Sequence, residues 1–358
     1  MHDFFCLRAL CGAGLLILCS FSMMASVALA QSPSPPHEAD YRPDVLEGFE
    51  RLDITHPEPD YEGEVISTLV RRRAEDAQAT AVLYVHGFND YFFQTEMAER
   101  FNAAGHDFYA VDLRKYGRSW RPHQRMTNVR DLKEYYADID TALTLMKAEG
   151  AEQIVLSGHS TGGLITTLYA HDRAAENRLN IDGLHLNSPF FDFNAGFMTR
   201  RLAIPLLSWW NRDTPDKVLE EDDDEPSNYA RSLYEPAGDG GEWEFNTEWK
   251  APTRGITYGW LRAIHQGHQR VRDGLEIPVP VMVMLSDKTI DEEQWSDAFF
   301  TGDAVLDVED IRAGARRIES PDVRLEEIEN AMHDVILSRE PVREEAYKRL
   351  LQWLEEVF

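Results

Sequence analysis

Cysteine is almost absent from this 358-residue chain, and its three occurrences (Cys6, Cys11, Cys19) all fall near the amino terminus. There, Arg8 precedes an apolar, small-residue-rich stretch from Leu10 to Leu29, and Ala28-Leu29-Ala30 has the small-x-small form of a cleavage site. The helix-hostile Gln31-Ser32-Pro33-Ser34-Pro35-Pro36 follows. Residues 1–30 therefore read as a secretory signal peptide, with a retained N-terminal anchor as the alternative, and the protein is expected to be exported, periplasmic or extracellular. With the leader removed no thiol remains. That excludes a disulfide framework, a cysteine metal site and a cysteine nucleophile.

Long apolar runs are lacking too. Beyond the leader no segment offers about 18 consecutive apolar residues, so no stable membrane span is expected after its removal. Basic residues are in short supply: 36 Lys and Arg face 63 Asp and Glu, for a formal charge of −27. Asp3 and Arg8 cancel within the leader, so its loss leaves that balance unchanged. A field of this sign repels nucleic acid and anionic membrane surfaces, and a small neutral or cationic partner is easier to accommodate. No internal repeat is visible, and the pattern leaves the oligomeric state open.

What is present, 43% hydrophobic residues and 11% aromatics, suffices for one large core and an inserted lobe. Residues 31–62 are Pro-rich and acidic and read as a surface segment. Strand-like and helix-like stretches then alternate: strands at 64–70, 80–85, 108–113, 153–156, 181–186, 279–285 and 323–329, and helices at 92–104, 131–149, 162–174, 308–317 and 341–358. Short apolar runs separated by helices predict a mostly parallel, doubly wound sheet of the α/β class. The series breaks between Pro189 and Gly274, where Trp209, Trp210, Trp243, Trp249 and Trp260 occur with an acidic run, Glu220–Glu225. The expected organisation is a core of 63–189 and 275–358 with a cap lobe of 190–274. The tryptophans are expected chiefly to form the lobe's own small core, and the acidic run to be a solvated loop.

The chemistry centres on Gly158-His159-Ser160-Thr161-Gly162-Gly163, placed between a buried strand and a helix. A turn that sharp needs small neighbours and leaves the Ser160 hydroxyl free at its tip, as a nucleophile requires. Serine needs a base, and His333, in Asn330-Ala331-Met332-His333-Asp334, is the only histidine beyond His268 and follows the last strand. The acid that orients it is open among three: Asp303, favoured because Asp303-Ala304-Val305-Leu306-Asp307-Val308 leads into a helix; Asp287, at the end of the 279–285 strand; and Asp307. The first choice makes 290–301 an insertion. The amides of Phe88 and Thr161 are expected to form an oxyanion hole. His86 is expected to be structural, and His159 to turn away from the site. His265 and His268 sit at helical spacing, but no third ligand is spaced to complete a metal site. No metal and no organic cofactor is required.

These segments, with Asp112-Leu113-Arg114-Lys115-Tyr116-Gly117-Arg118-Ser119, resemble the α/β-hydrolases of the serine aminopeptidase S33 and lysophospholipase/monoacylglycerol lipase-like group. The resemblance implies an α/β-hydrolase fold and a Ser-His-Asp triad. Lys115 and Tyr116 stand where Gly and His are commoner, and Asn89-Asp90-Tyr91 replaces a Glu-His pair found in the monoacylglycerol lipase type. The group contains esterases, lipases and peptidases. An ester or lipid-like substrate is the first expectation, an aminopeptidase the second, and a non-catalytic binding protein the third.

Overall fold

Six consecutive residues, Thr80–Val85, are all buried, and they run through the middle of a nine-stranded sheet. The computed structural model describes residues 41–223 and 225–358; the leader and its three cysteines lie outside the described residues. In chain order the strands and helices are β1 (Arg42–Pro43), β2 (Glu50–Thr55), β3 (Ile66–Arg72), β4 (Thr80–Val85), α1 (Thr95–Ala103), β5 (Asp107–Asp112), α2 (Tyr136–Ala148), β6 (Gln153–His159), α3 (Thr161–Ala175) and β7 (Gly183–Asn187). There follow α4 (Ile204–Trp210), α5 (Asn228–Leu233), α6 (Tyr258–Asp273), β8 (Leu275–Glu276), β9 (Val281–Ser286), α7 (Val308–Ala315), β10 (Ile318–Glu319), β11 (Val323–Ile328) and α8 (Glu340–Val357).

The large sheet has the order β1-β2-β3-β5-β4-β6-β7-β9-β11. From β5 to β11 every pairing is parallel, while β1, β2 and β3 add an antiparallel edge. Two-residue alternation divides the side chains between two cores. Leu83, Val85 and Leu156 face α2 and α3, with Ile139, Leu143, Leu164 and Leu168. Val82, Tyr84 and Val155 face α1 and α8, with Met97, Phe101, Leu350 and Trp353. Burial on both faces explains why these strands read as continuous apolar runs.

Three features differ from the sequence reading. Glu50–Thr55, placed there in a surface segment, is a strand paired along its length with β3. It is amphipathic, with Leu52 and Ile54 packed on the core, so the prolines and acids around it hide the pattern. The helix expected over 131–149 begins as a 3₁₀ turn, Leu132–Tyr135, opened by a capping box between Asp131 and Glu134. The tryptophans of the long excursion after β7 do not form one core. Trp209 and Trp210 are exposed, Trp249 meets Tyr91 edge-on and Trp243 donates to the Leu337 carbonyl. α4 and α5, of seven and six residues, are too short to enclose five indoles, and Trp260 on α6 belongs to the main core, so the rings pack on the main body or face solvent. α6, within the same excursion, lays Leu261, Ile264 and Val271 on the core beside α3. No helix among the described residues is long and apolar enough to cross a membrane.

Candidate active site

Ser160 closes β6 and opens α3 with φ 51° and ψ −117°, a conformation that side chains rarely adopt. Its neighbours make the turn feasible. A Cβ at Gly162 would fall 2.4 Å from the Val85 carbonyl oxygen and 2.3 Å from that of His86; one at Gly158 would fall 2.6 Å from the Gly162 oxygen. Only glycine lets the strand and helix pass this close.

His333, on the loop after β11, places Nε2 3.0 Å from Ser160 Oγ and Nδ1 2.9 Å from Asp303 Oδ2. A carboxylate only accepts, so the ring carries its proton on Nδ1 and offers the Nε2 lone pair to the serine O–H. Asp303 is fully buried. Its other oxygen accepts the backbone amides of Val305 and Leu306, each at 2.8 Å, which fixes the carboxylate against the turn that leads into α7. The 290–302 stretch leaves the end of β9 and returns to it: Asp303 N–H donates to Lys288 O, and Ile290 N–H to Asp303 O. The loop is thus closed at its base, bringing a distant aspartate back beside the strand. Asp287 instead accepts the Asn330 amide at 2.7 Å, and Asp307 caps α7 through the Glu309 amide.

Phe88 follows the His86-Gly87 turn at the end of β4, and Thr161 is the first residue of α3. Among the described residues neither amide donates a hydrogen bond. His86 is structural as expected: Nδ1–H donates to Gly87 O, and Nε2 accepts the Leu113 amide. His159 departs from expectation. Its ring lies against that of His333, with centroids 4.9 Å apart, and it lines the cavity. Alternation along β6 puts it on the face shared by Val155, over which the His333 loop passes. Burial lowers its pKa, and His333 adds to that effect while Asp334 opposes it. Asp334 turns to Asn187, whose amide donates to it at 2.7 Å.

A cavity of about 850 Å³ opens above Ser160, walled by Phe88, Phe190, Leu233, Phe245, Trp260 and Leu306 among others. Its acids are Asp90 and Glu292. Asp90 is buried and bonded to Lys250 Nζ at 2.7 Å; burial opposes its ionisation, but Lys250, His86 and His159 together hold the carboxyl below its usual value. Two further residues at the site are Lys250 and Tyr229 of α5, whose ring meets His333 edge-on at 5.6 Å. Nothing in the local pattern marks either one, because their partners lie more than a hundred residues away. His265 and His268 hold no joint site. His268 Nε2–H donates to the Phe190 carbonyl at 2.9 Å, and burial pushes its pKa down to about 3. Among the described residues no group of three or more His, Cys, Asp and Glu could hold a metal ion.

A parallel sheet flanked by helices, with a strained serine between strand and helix, defines an α/β-hydrolase fold. Residues 76–340 match the serine aminopeptidase S33 family of hydrolases, and the chain belongs to that family. Among solved structures it is similar to a soluble variant of monoglyceride lipase from Saccharomyces cerevisiae, with a TM-score of 0.62 and 16% identity, covering 85% of this chain and 96% of that one. The monoacylglycerol lipase of Paleococcus ferrophilus gives 0.58 and 20%, covering 81% and 99%. A carboxyl esterase from Bacillus coagulans gives 0.58 and 14%, covering 87% and 99%. At these identities the likeness is one of fold.

Proposed function

We propose that this hydrolase cleaves carboxylic esters through an acyl-enzyme, with Ser160 as nucleophile, His333 as base and Asp303 as the orienting acid. One observation carries the reading: a single imidazole bonds Ser160 Oγ through one nitrogen and a buried carboxylate through the other. In the first half-reaction His333 Nε2 takes the Ser160 proton as Oγ attacks the ester carbonyl. The oxyanion accepts the Phe88 and Thr161 amides, and the imidazolium returns the proton to the departing alcohol. Water then repeats the sequence on the acyl-serine, releasing the acid. Neither half requires a metal or cofactor.

The mainly apolar walls suit an acyl or alkyl chain, and a monoacylglycerol or lysophospholipid is the substrate class that fits them. An aminopeptidase needs an acid free to capture an α-amine. Of the two acids lining the cavity, Asp90 is already paired with Lys250, which leaves Glu292, accepting from Ser296 Oγ, as the acid for that role in the rival reading. Export to the periplasm or beyond, from the leader-like residues 1–30, is part of the same proposal.

The test is a fluorophosphonate label together with p-nitrophenyl esters from short to long acyl chains. Labelling and turnover in the wild type, and neither in Ser160→Ala, are expected. A wild type that labels but cleaves an aminoacyl amide faster than an acyl ester of equal size would replace the esterase with a peptidase. A folded wild type that neither labels nor turns over would end the serine mechanism.

A further inference from the structure

The loop bearing His333 is pinned by side chains on both sides of the histidine. The Met332 amide donates to Ser338 Oγ at 2.9 Å, the Val335 amide to Asn187 Oδ1 at 3.1 Å, and the Asp334 amide to Tyr229 Oη at 3.2 Å. Ser338 lies on the same loop and Asn187 ends β7. Tyr229 alone comes from the excursion between β7 and β8, where Ser227 caps its short helix by accepting the Ala230 amide. The same excursion reaches the loop again through Trp243 Nε1, which donates to Leu337 O. The Tyr229 ring stands edge-on to the imidazole, at 78° and 5.6 Å, while His159 packs at 4.9 Å.

We propose that Tyr229 is a positioning residue for the reaction at Ser160, holding the His333 loop through the Asp334 amide and the imidazole through its ring edge. The inference rests on the proposed serine mechanism. It makes α5 part of the catalytic scaffold as well as a wall of the cavity. Near-attack geometry tolerates little displacement, so loosening an imidazole that must meet both Ser160 and Asp303 lowers the rate of the chemical step. It should leave the binding of a small substrate unchanged. Burial and the nearby Asp334 raise the Tyr229 pKa far above its ordinary value, so the residue stays neutral and its oxygen has no charge to impose on the histidine. Its effect is geometric.

The experiment compares Tyr229→Phe and Tyr229→Leu with the wild type. Tyr229→Phe keeps the ring edge but gives the Asp334 amide no acceptor, and Tyr229→Leu removes both contacts. For p-nitrophenyl acetate, too small to need the cavity wall, kcat is expected to fall about tenfold in Tyr229→Phe and about a hundredfold in Tyr229→Leu, with KM within twofold. The fluorophosphonate labelling rate should fall in the same order. Circular dichroism and thermal melting identify which variants are folded, and if Tyr229→Leu is not, the Tyr229→Phe result decides. An unchanged kcat and labelling rate in a folded variant would overturn the proposal. So would a raised KM confined to long-chain esters, which would make Tyr229 only a wall. A wild type that does not label at all would strike the serine mechanism instead, so the two failures are distinct.

Discussion

Asp303 Oδ2 lies 2.9 Å from His333 Nδ1, although Asp303 stands seventeen residues beyond the last residue of β9, Ser286. Asp287, the first residue after that strand, bonds the Asn330 amide instead. Asp303→Asn is therefore expected to lower kcat on the order of 10⁴-fold while the fold persists, because the histidine loses the carboxylate that sets its tautomer. Asp287→Asn should lose less than about tenfold, since it disturbs only a loop hydrogen bond. Steady-state rates of both variants check the assignment; the reverse ranking would return the acid to the strand end.

The Asp90–Lys250 pair ties the turn after β4 to the excursion above it. Both side chains are largely withdrawn from water, with 3% and 14% of their surfaces exposed. Lys250→Met should destabilise by roughly 3–5 kcal/mol, because it leaves Asp90 buried without its countercharge. Adding Asp90→Asn should recover much of that loss. The Asp90 pKa is lowered in the folded state, so the pair's contribution is present above the unfolded value of 3.8 and disappears as pH falls below it. Urea denaturation of the single and double variants at neutral pH measures the first effect. A Lys250→Met as stable as the wild type would show that the pair contributes nothing net.

Acid stability should depend on His185. The residue is buried in β7, with Nδ1 2.9 Å from Ser157 Oγ, and burial pushes its pKa down to about 3 from 6.5. Between those values the unfolded chain binds a proton that the folded chain refuses. Stability is full above 6.5 and is lost as pH falls toward 3. Between pH 7 and pH 5 this one group removes about 2 kcal/mol. In His185→Gln, whatever its absolute stability, the drop between those two pH values should shrink by about that amount. Chemical denaturation at both pH values gives the answer, and an unaltered slope would contradict it.

Much of this protein was legible in order along the chain. The buried strands announce themselves as apolar runs because helices cover both faces of the sheet. The glycine at 158 is required by a backbone contact within the turn itself, to the Gly162 oxygen, and the choice of His333 follows from its being the last histidine in the chain. These properties depend on residues near one another, or on a periodicity that persists over a whole element.

The rest was decided in three dimensions. The residues after Asp303 favour it over Asp287 and Asp307, but that the 290–302 loop closes at its base and so carries this aspartate to His333 is not encoded in local composition. That His159 lies against His333, that Lys250 answers Asp90 and that Tyr229 reaches the Asp334 amide all join residues 105 to 174 positions apart. Periodicity tells which face of an element is buried. Only the packed chain determines which distant side chain meets it there, because a contact of that kind is made by the fold as a whole and leaves no trace in the neighbouring residues.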